Sequence, residues 1–174
     1  NNPTDSLHDL KNLFPVHPSY FENFSLIRIG KSQREVLKTL SNKFKSIIED
    51  EVPEKVPGLI CYDSYWQDMV NNVDLKADPD VSKVCDIVEI VDQKIEDNFI
   101  RGLVSKKPLA HRIVSAAAIK ILQGDLSKQN GVTADALAND LCYVDEMCDT
   151  YDELVEDVFD VVLDAVKDAT QGEY

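Results

Sequence analysis

The chain has 174 residues and a hydrophobic fraction of 44%, enough to bury one sizeable core and too apolar to remain disordered. No run of eighteen apolar residues occurs, which excludes a membrane-spanning helix. The net charge of −14 is segregated: from Asp125 onward fourteen acidic and two basic residues carry −12 of it, and the first 124 residues are near neutral.

The chain opens Asn1-Asn2-Pro3 with no methionine and no basic or apolar leader, as expected of a piece cut from a longer protein. Residues 5–12 read as a short helix with Leu7, Leu10 and Leu13 along one side, ended by Pro15. Pro15 and Pro18 fix the backbone around Val16 and His17, and the motif Pro15, His17, Pro18 is read as structural, with His17 holding the turn. A second short helix follows from Pro18, burying Tyr20, Phe21 and Phe24, and residues 25–29 read as a brief extended link. From Gln33 to about Asp50 the stripe Val36, Leu37, Leu40, Phe44, Ile47 and Ile48 predicts an amphipathic helix. Ser32 and Glu35 form a capping-box pattern at its start, which puts Arg34 in the first turn. An arginine beside the free N–H groups of a helix start suits an anion, phosphate in particular, and a solvated surface arginine is the alternative. Lys31 adds to the same basic helix start, where Arg28, Lys38, Lys43 and Lys45 also gather.

Pro53 and Pro57-Gly58 mark a loop, after which Asp63 is a possible cap for a helix from Ser64 to Val70. Tyr62, Tyr65 and Trp66 there could stack on a nucleotide ring or pack against the preceding helix. Asp78-Pro79 starts the longest helix, with Val81, Val84, Cys85, Val88, Val91, Ile95 and Phe99 in one stripe ending near Gly102. Leu103 to Lys107 is a basic connector closed by Pro108. Three further helices follow: Pro108 to Leu122, one capped by Thr133 and running through Leu141, and one from Asp149 or Thr150 through Val166. That triplet resembles a winged-helix core stopping where a β-hairpin wing would begin. Its third helix is unsuited to DNA: residues 149–170 carry eight acids and one lysine, Lys167, and phosphates would be repelled.

The four cysteines, Cys61, Cys85, Cys142 and Cys148, form no C-x-x-C pair and read as reduced thiols of a cytoplasmic protein. His8, His17 and His111 have no ligand-like spacing to them, so no metal site is expected, and no nucleophile–base pair can be assembled by spacing.

Gly30-Lys31-Ser32-Gln33-Arg34-Glu35-Val36-Leu37-Lys38-Thr39-Leu40 resembles the start of the lid helix of AAA-type ATPases. Together with Leu13-Phe14-Pro15-Val16-His17-Pro18, Val56-Pro57-Gly58-Leu59-Ile60 and Tyr62-Asp63-Ser64-Tyr65-Trp66, it resembles large P-loop ATPases of the phage growth limitation and BREX types of phage defence. The resemblance continues from Pro108 to Cys142 and covers most of the chain. With the helices read above, it gives an all-α piece: an ATPase lid-like bundle at residues 1–104 followed by the winged-helix-like module at 105–174. It also implies a nucleotide-sensing role for Arg34 and Lys31, ATP and magnesium as cofactors of the parent protein, and partners among its other domains or other defence proteins. The sequence departs from such ATPases in having no G-x-x-x-x-G-K-S/T loop, so the catalytic nucleotide site would lie outside these residues. The alternative is an adaptor that docks a basic partner through its acidic half.

Overall fold

Caps and prolines set where the helices begin. A computed structural model describes residues 11–27, 33–49, 58–124 and 132–170. Among these every regular element is helical, as expected, apart from a single parallel β-bridge between Val16 and Ile60. Helix α1 (Pro18–Leu26) has proline at its first position and His17 as its N-cap, whose Nδ1 accepts from the Ser19 backbone N–H at 3.3 Å. Helix α2 spans Gln33–Glu49. Helix α3 (Ser64–Asn71) leads into the single turn α4 (Val73–Lys76), capped by the Asn72 side chain. Helix α5 (Pro79–Asn98) is the longest, and Asp78 caps it by accepting from Asp80 N at 2.9 Å and Val81 N at 3.4 Å. A 3-10 turn (Arg101–Lys106) joins it to α6 (Lys107–Leu122), and Thr133 caps α7 (Ala134–Leu141).

A Thr150–Glu153 capping box starts the last element, where α8 (Tyr151–Glu153) runs into a π-helical segment (Leu154–Asp160) and then α9 (Val161–Thr170). The wider π turn sets Leu154 and Phe159 one i→i+5 step apart, with Phe159 fully buried and Leu154 packed against the core.

Helix α6 is the hub. It packs against α5, α3, α7 and α9, and Ala110, Ala116 and Ala118 are fully buried, so neighbouring backbones can approach it closely. Every apolar member of the α5 stripe predicted from sequence, Val81 through Phe99, is buried. Each such side chain contributes about 1.5–3 kcal/mol when withdrawn from water.

Several local readings are corrected. Helix α5 ends at Asn98, short of Gly102, because Phe99 leaves the helical region (φ −78°, ψ 82°) to bury its ring and Arg101 turns left-handed at φ 54°. The basic connector before Pro108 takes the form of that 3-10 turn. Residues 25 and 26 continue α1, and the extended backbone begins at Ile27. Asp63 stands at the start of α3 but makes no cap there; its carboxylate turns to Arg112. Tyr62, Tyr65 and Trp66 are all buried, so they pack and present no face for a base. The predicted helix at 5–12 lies largely outside the described residues, as do Lys31, Ser32, the loop at 50–57 and the glycine turn at Gly131.

Candidate functional site

Two places in this fold collect polar chemistry. The first is a junction built by segments far apart in sequence. The Phe14–Pro15 peptide is cis, and the following residues lie against Ile60: Ile60 N donates to the Pro15 carbonyl at 2.7 Å and His17 N donates to the Ile60 carbonyl at 3.0 Å. This sets His17 close to Cys61, the next residue along. Pro18 then starts α1, with His17 as its N-cap.

On the other side α7 ends at Cys142, whose left-handed backbone (φ 47°, ψ 46°) caps the helix. The Cys142 thiol donates to the Asn139 carbonyl at 3.7 Å, and Cys61, His17 and Arg112 act on its charge. Cys61, then His17 and the nearby Arg112 charge, hold Cys142 down to about 5, against the opposing effect of burial. Cys61 moves the other way: Cys142 and its own burial keep the proton on its sulfur. Burial works against a charged His17, but Cys142 and the nearby Asp140 and Glu22 outweigh it and raise its value.

Arg112, from the middle of α6, closes the junction. Its Nε donates to Asp63 Oδ2 at 2.7 Å and a terminal nitrogen donates to the Leu141 carbonyl at 2.7 Å, satisfying an otherwise unpaired acceptor at the end of α7. Asp63 is only 7% exposed, and that guanidinium is its ionic partner. A cleft of about 270 Å³, lined by Leu59, Cys61, Asp63, Pro108, Arg112 and Tyr143 among others, opens beside the pair. A buried polar chain continues behind it: His17 Nδ1 lies 2.6 Å from Ser19 Oγ, Asn23 Nδ2 donates to the Ser19 carbonyl at 2.7 Å, and Gln123 Nε2 donates to Asn23 Oδ1 at 3.0 Å.

The second place is a groove of about 440 Å³ between α2 and the α3–α4 corner. Lys38, Thr39 and Asn42 line one wall and Asp68, Asn71, Asn72 and Asp74 the other. A Lys43–Asp68 ion pair of 3.7 Å ties the two sides. Arg34 is the second residue of α2, one helical turn before Lys38; Lys31 lies outside the described residues.

Sequence reasoning found the α2 start and the His17 turn. It missed the convergence of His17, Cys61, Asp63, Arg112 and Cys142, which spans 125 positions from His17 to Cys142 and leaves no periodic signal. The one local hint was a thiol immediately after a strong apolar helix. Among the described residues no group of three or more His, Cys, Asp or Glu is arranged to hold a metal ion, and no helix is long and apolar enough to cross a membrane.

No curated protein and no solved structure matches the chain. A family model described as the DUF6079 second domain matches residues 2–174, nearly the whole length, and the chain belongs to that family.

Proposed function

We propose that this domain is a non-catalytic helical regulatory portion of a large phage-defence ATPase of the BREX or phage growth limitation type, and that it senses the nucleotide held elsewhere in that protein. The reading treats the N-terminal helices as lid-like and the last three as a winged-helix core without its wing. A family described as a second domain is consistent with further domains in the same polypeptide, which would supply the phosphate-binding loop, ATP and magnesium. The observation that carries the proposal is the start of α2 at Gln33: Arg34 falls in its first turn, and the helix runs on into a polar groove lined by Lys38 and Asn42. Arginine in that position can meet a terminal phosphate as charge gathers there during transfer.

The test is an ATPase assay of the full-length protein carrying Arg34→Ala and Arg34→Lys. Sensing requires that alanine lower turnover and that lysine restore only part of it, since lysine keeps the charge and loses the planar fork.

A second reading, an adaptor for a basic partner, is favoured by the exposed apolar residues of the acidic half. Val144 is 56% exposed and Met147 88%, and they lie in a segment otherwise rich in aspartate and glutamate. In that case Arg34→Ala leaves turnover unchanged, and charge reversal around Met147 abolishes partner binding.

A further inference from the structure

The cleft beside Arg112 takes no part in the nucleotide reading, and segments remote in sequence build it. Leu59 precedes the bridge residue Ile60, Pro108, Leu109 and Arg112 stand on the first two turns of α6, and Leu141 and Tyr143 flank the end of α7. Most of this wall is apolar, and Leu109 and Leu141 belong to the core, so its shape is fixed. The volume of about 270 Å³ falls just under the roughly 300–1,000 Å³ of sites for drug-sized ligands. At the roughly 30 Å³ that a water occupies in the liquid, there is room for about nine non-hydrogen atoms.

Two donors on the wall lack an oxygen acceptor. Arg112 donates from Nε to Asp63 and from one terminal nitrogen to the Leu141 carbonyl, each at 2.7 Å, while its other terminal nitrogen has no oxygen acceptor among the described residues. Tyr143 stands edge-on to Phe159 with ring centroids 6.1 Å apart, and its hydroxyl has no hydrogen-bond partner among the described residues. Ser64 is already committed, its hydroxyl donating to the Cys61 carbonyl at 2.8 Å. We propose that this cleft binds a small uncharged molecule with an apolar body and one carbonyl group, whose oxygen accepts from Arg112 and from the Tyr143 hydroxyl.

The ion pair selects against charge of either sign. A carboxylate drawn to the guanidinium meets the buried Asp63 carboxylate, and an ammonium drawn to Asp63 meets the guanidinium. Either ion would also give up its hydration against Leu59, Pro108, Leu109 and Leu141. A carbonyl dipole gains the same donors at a smaller desolvation cost. A hydrocarbon fills the space but leaves both donors without an acceptor. Because Arg112 belongs to α6 and Tyr143 to the segment after α7, the ligand ties these two elements together and stabilises the folded chain.

The experiment titrates the 174-residue chain with four probes that share one ring: benzamide, benzoate, benzylamine and toluene. Binding is followed by the methyl NMR signals of Leu59, Leu109 and Leu141. Benzamide should shift them saturably, with a Kd of about 1 mM for a ligand of this size, and should raise the melting temperature. The other three probes should bind at least about fivefold more weakly. Tyr143→Phe keeps the ring against Phe159 and should weaken benzamide about threefold to tenfold with little change in unliganded melting temperature. Leu59→Trp, which fills the cleft, should abolish binding, and Asn42→Ala in the α2 groove should leave it unchanged. Benzoate, benzylamine or toluene binding as tightly as benzamide overturns the proposal. So does an absence of saturable shifts, or a benzamide affinity that Tyr143→Phe leaves untouched.

Discussion

The thiol–guanidinium junction and the α2 groove are both polar, yet they are built on opposite terms. At the junction the polar groups are withdrawn from water and satisfied by side chains or carbonyls from remote segments: Arg112 by Asp63 and Leu141, Ser19 by His17, Asn23 by Gln123. Along the groove Lys38 and Asn42 are exposed, and the tie across it between Lys43 and Asp68 is a 3.7 Å ion pair. Partly solvated pairs of that kind contribute about 0–1 kcal/mol. The junction therefore holds the fold, and the groove is left free to change partners. Stability and nucleotide response should separate cleanly when residues are changed in one place or the other.

The largest effect is expected at the junction. Arg112→Ala leaves the Asp63 carboxylate buried without its partner and the Leu141 carbonyl uncapped, and should cost about 3 kcal/mol, read from urea unfolding midpoints. A loss below about 1 kcal/mol would mean that the site relaxes to admit water. Next comes the polar chain behind it. Gln123→Ala removes the donor to Asn23, itself 3% exposed, and should cost about 2 kcal/mol in the same assay.

These two positions also mark where the sequence stops being readable. The α5 start at Asp78-Pro79, the Thr133 cap and the Thr150 start carry their signals within four residues, and each matches the structure. Gln123 falls just past the helix read from Pro108 to Leu122, and Asp63 reads as a possible cap. Their partners sit 100 and 49 positions away, and local spacing says nothing about a carboxylate choosing a guanidinium over its own helix. C-x-x-C spacing likewise says nothing of thiols from segments that only tertiary packing brings to one junction. The π segment escaped for a related reason, since a 3.6-residue period was assumed throughout residues 149–170.

A smaller effect is expected between α5 and α6, where His111 Nδ1 meets Asp92 at 2.6 Å and Nε2 meets Glu96 at 3.0 Å, with Lys107 also on Glu96. Burial disfavours the charged ring, but the Glu96 and Asp92 hydrogen bonds and charges raise its folded value above 6.5. A raised value means that the folded state binds the proton more tightly. The stabilisation is therefore fully present below 6.5 and is lost as pH rises through the folded value. Comparing His111→Gln with the parent at pH 5.5 and pH 8.5, the gap in melting temperature should shrink at the higher pH. An unchanged gap would assign the histidine a packing role only.

The nucleotide reading makes a prediction for the domain alone. One arginine contact gives about 1.5–3 kcal/mol, well short of the roughly 8 kcal/mol that micromolar affinity needs. Calorimetry should find no micromolar ATP binding to these residues, and such binding would mean a phosphate site outside the sensor account. Duplex DNA should likewise not be retained through the acidic helix at physiological salt.

The smallest stability change is expected at Arg34, and there the account is tested most directly. Arg34→Ala in the isolated domain should shift unfolding by no more than about half a kcal/mol. The decisive measurement is the ATP turnover of the full-length protein with and without the same change. A turnover clearly reduced by Arg34→Ala, and partly restored by Arg34→Lys, is the predicted result; turnover indistinguishable from the parent contradicts the sensor role.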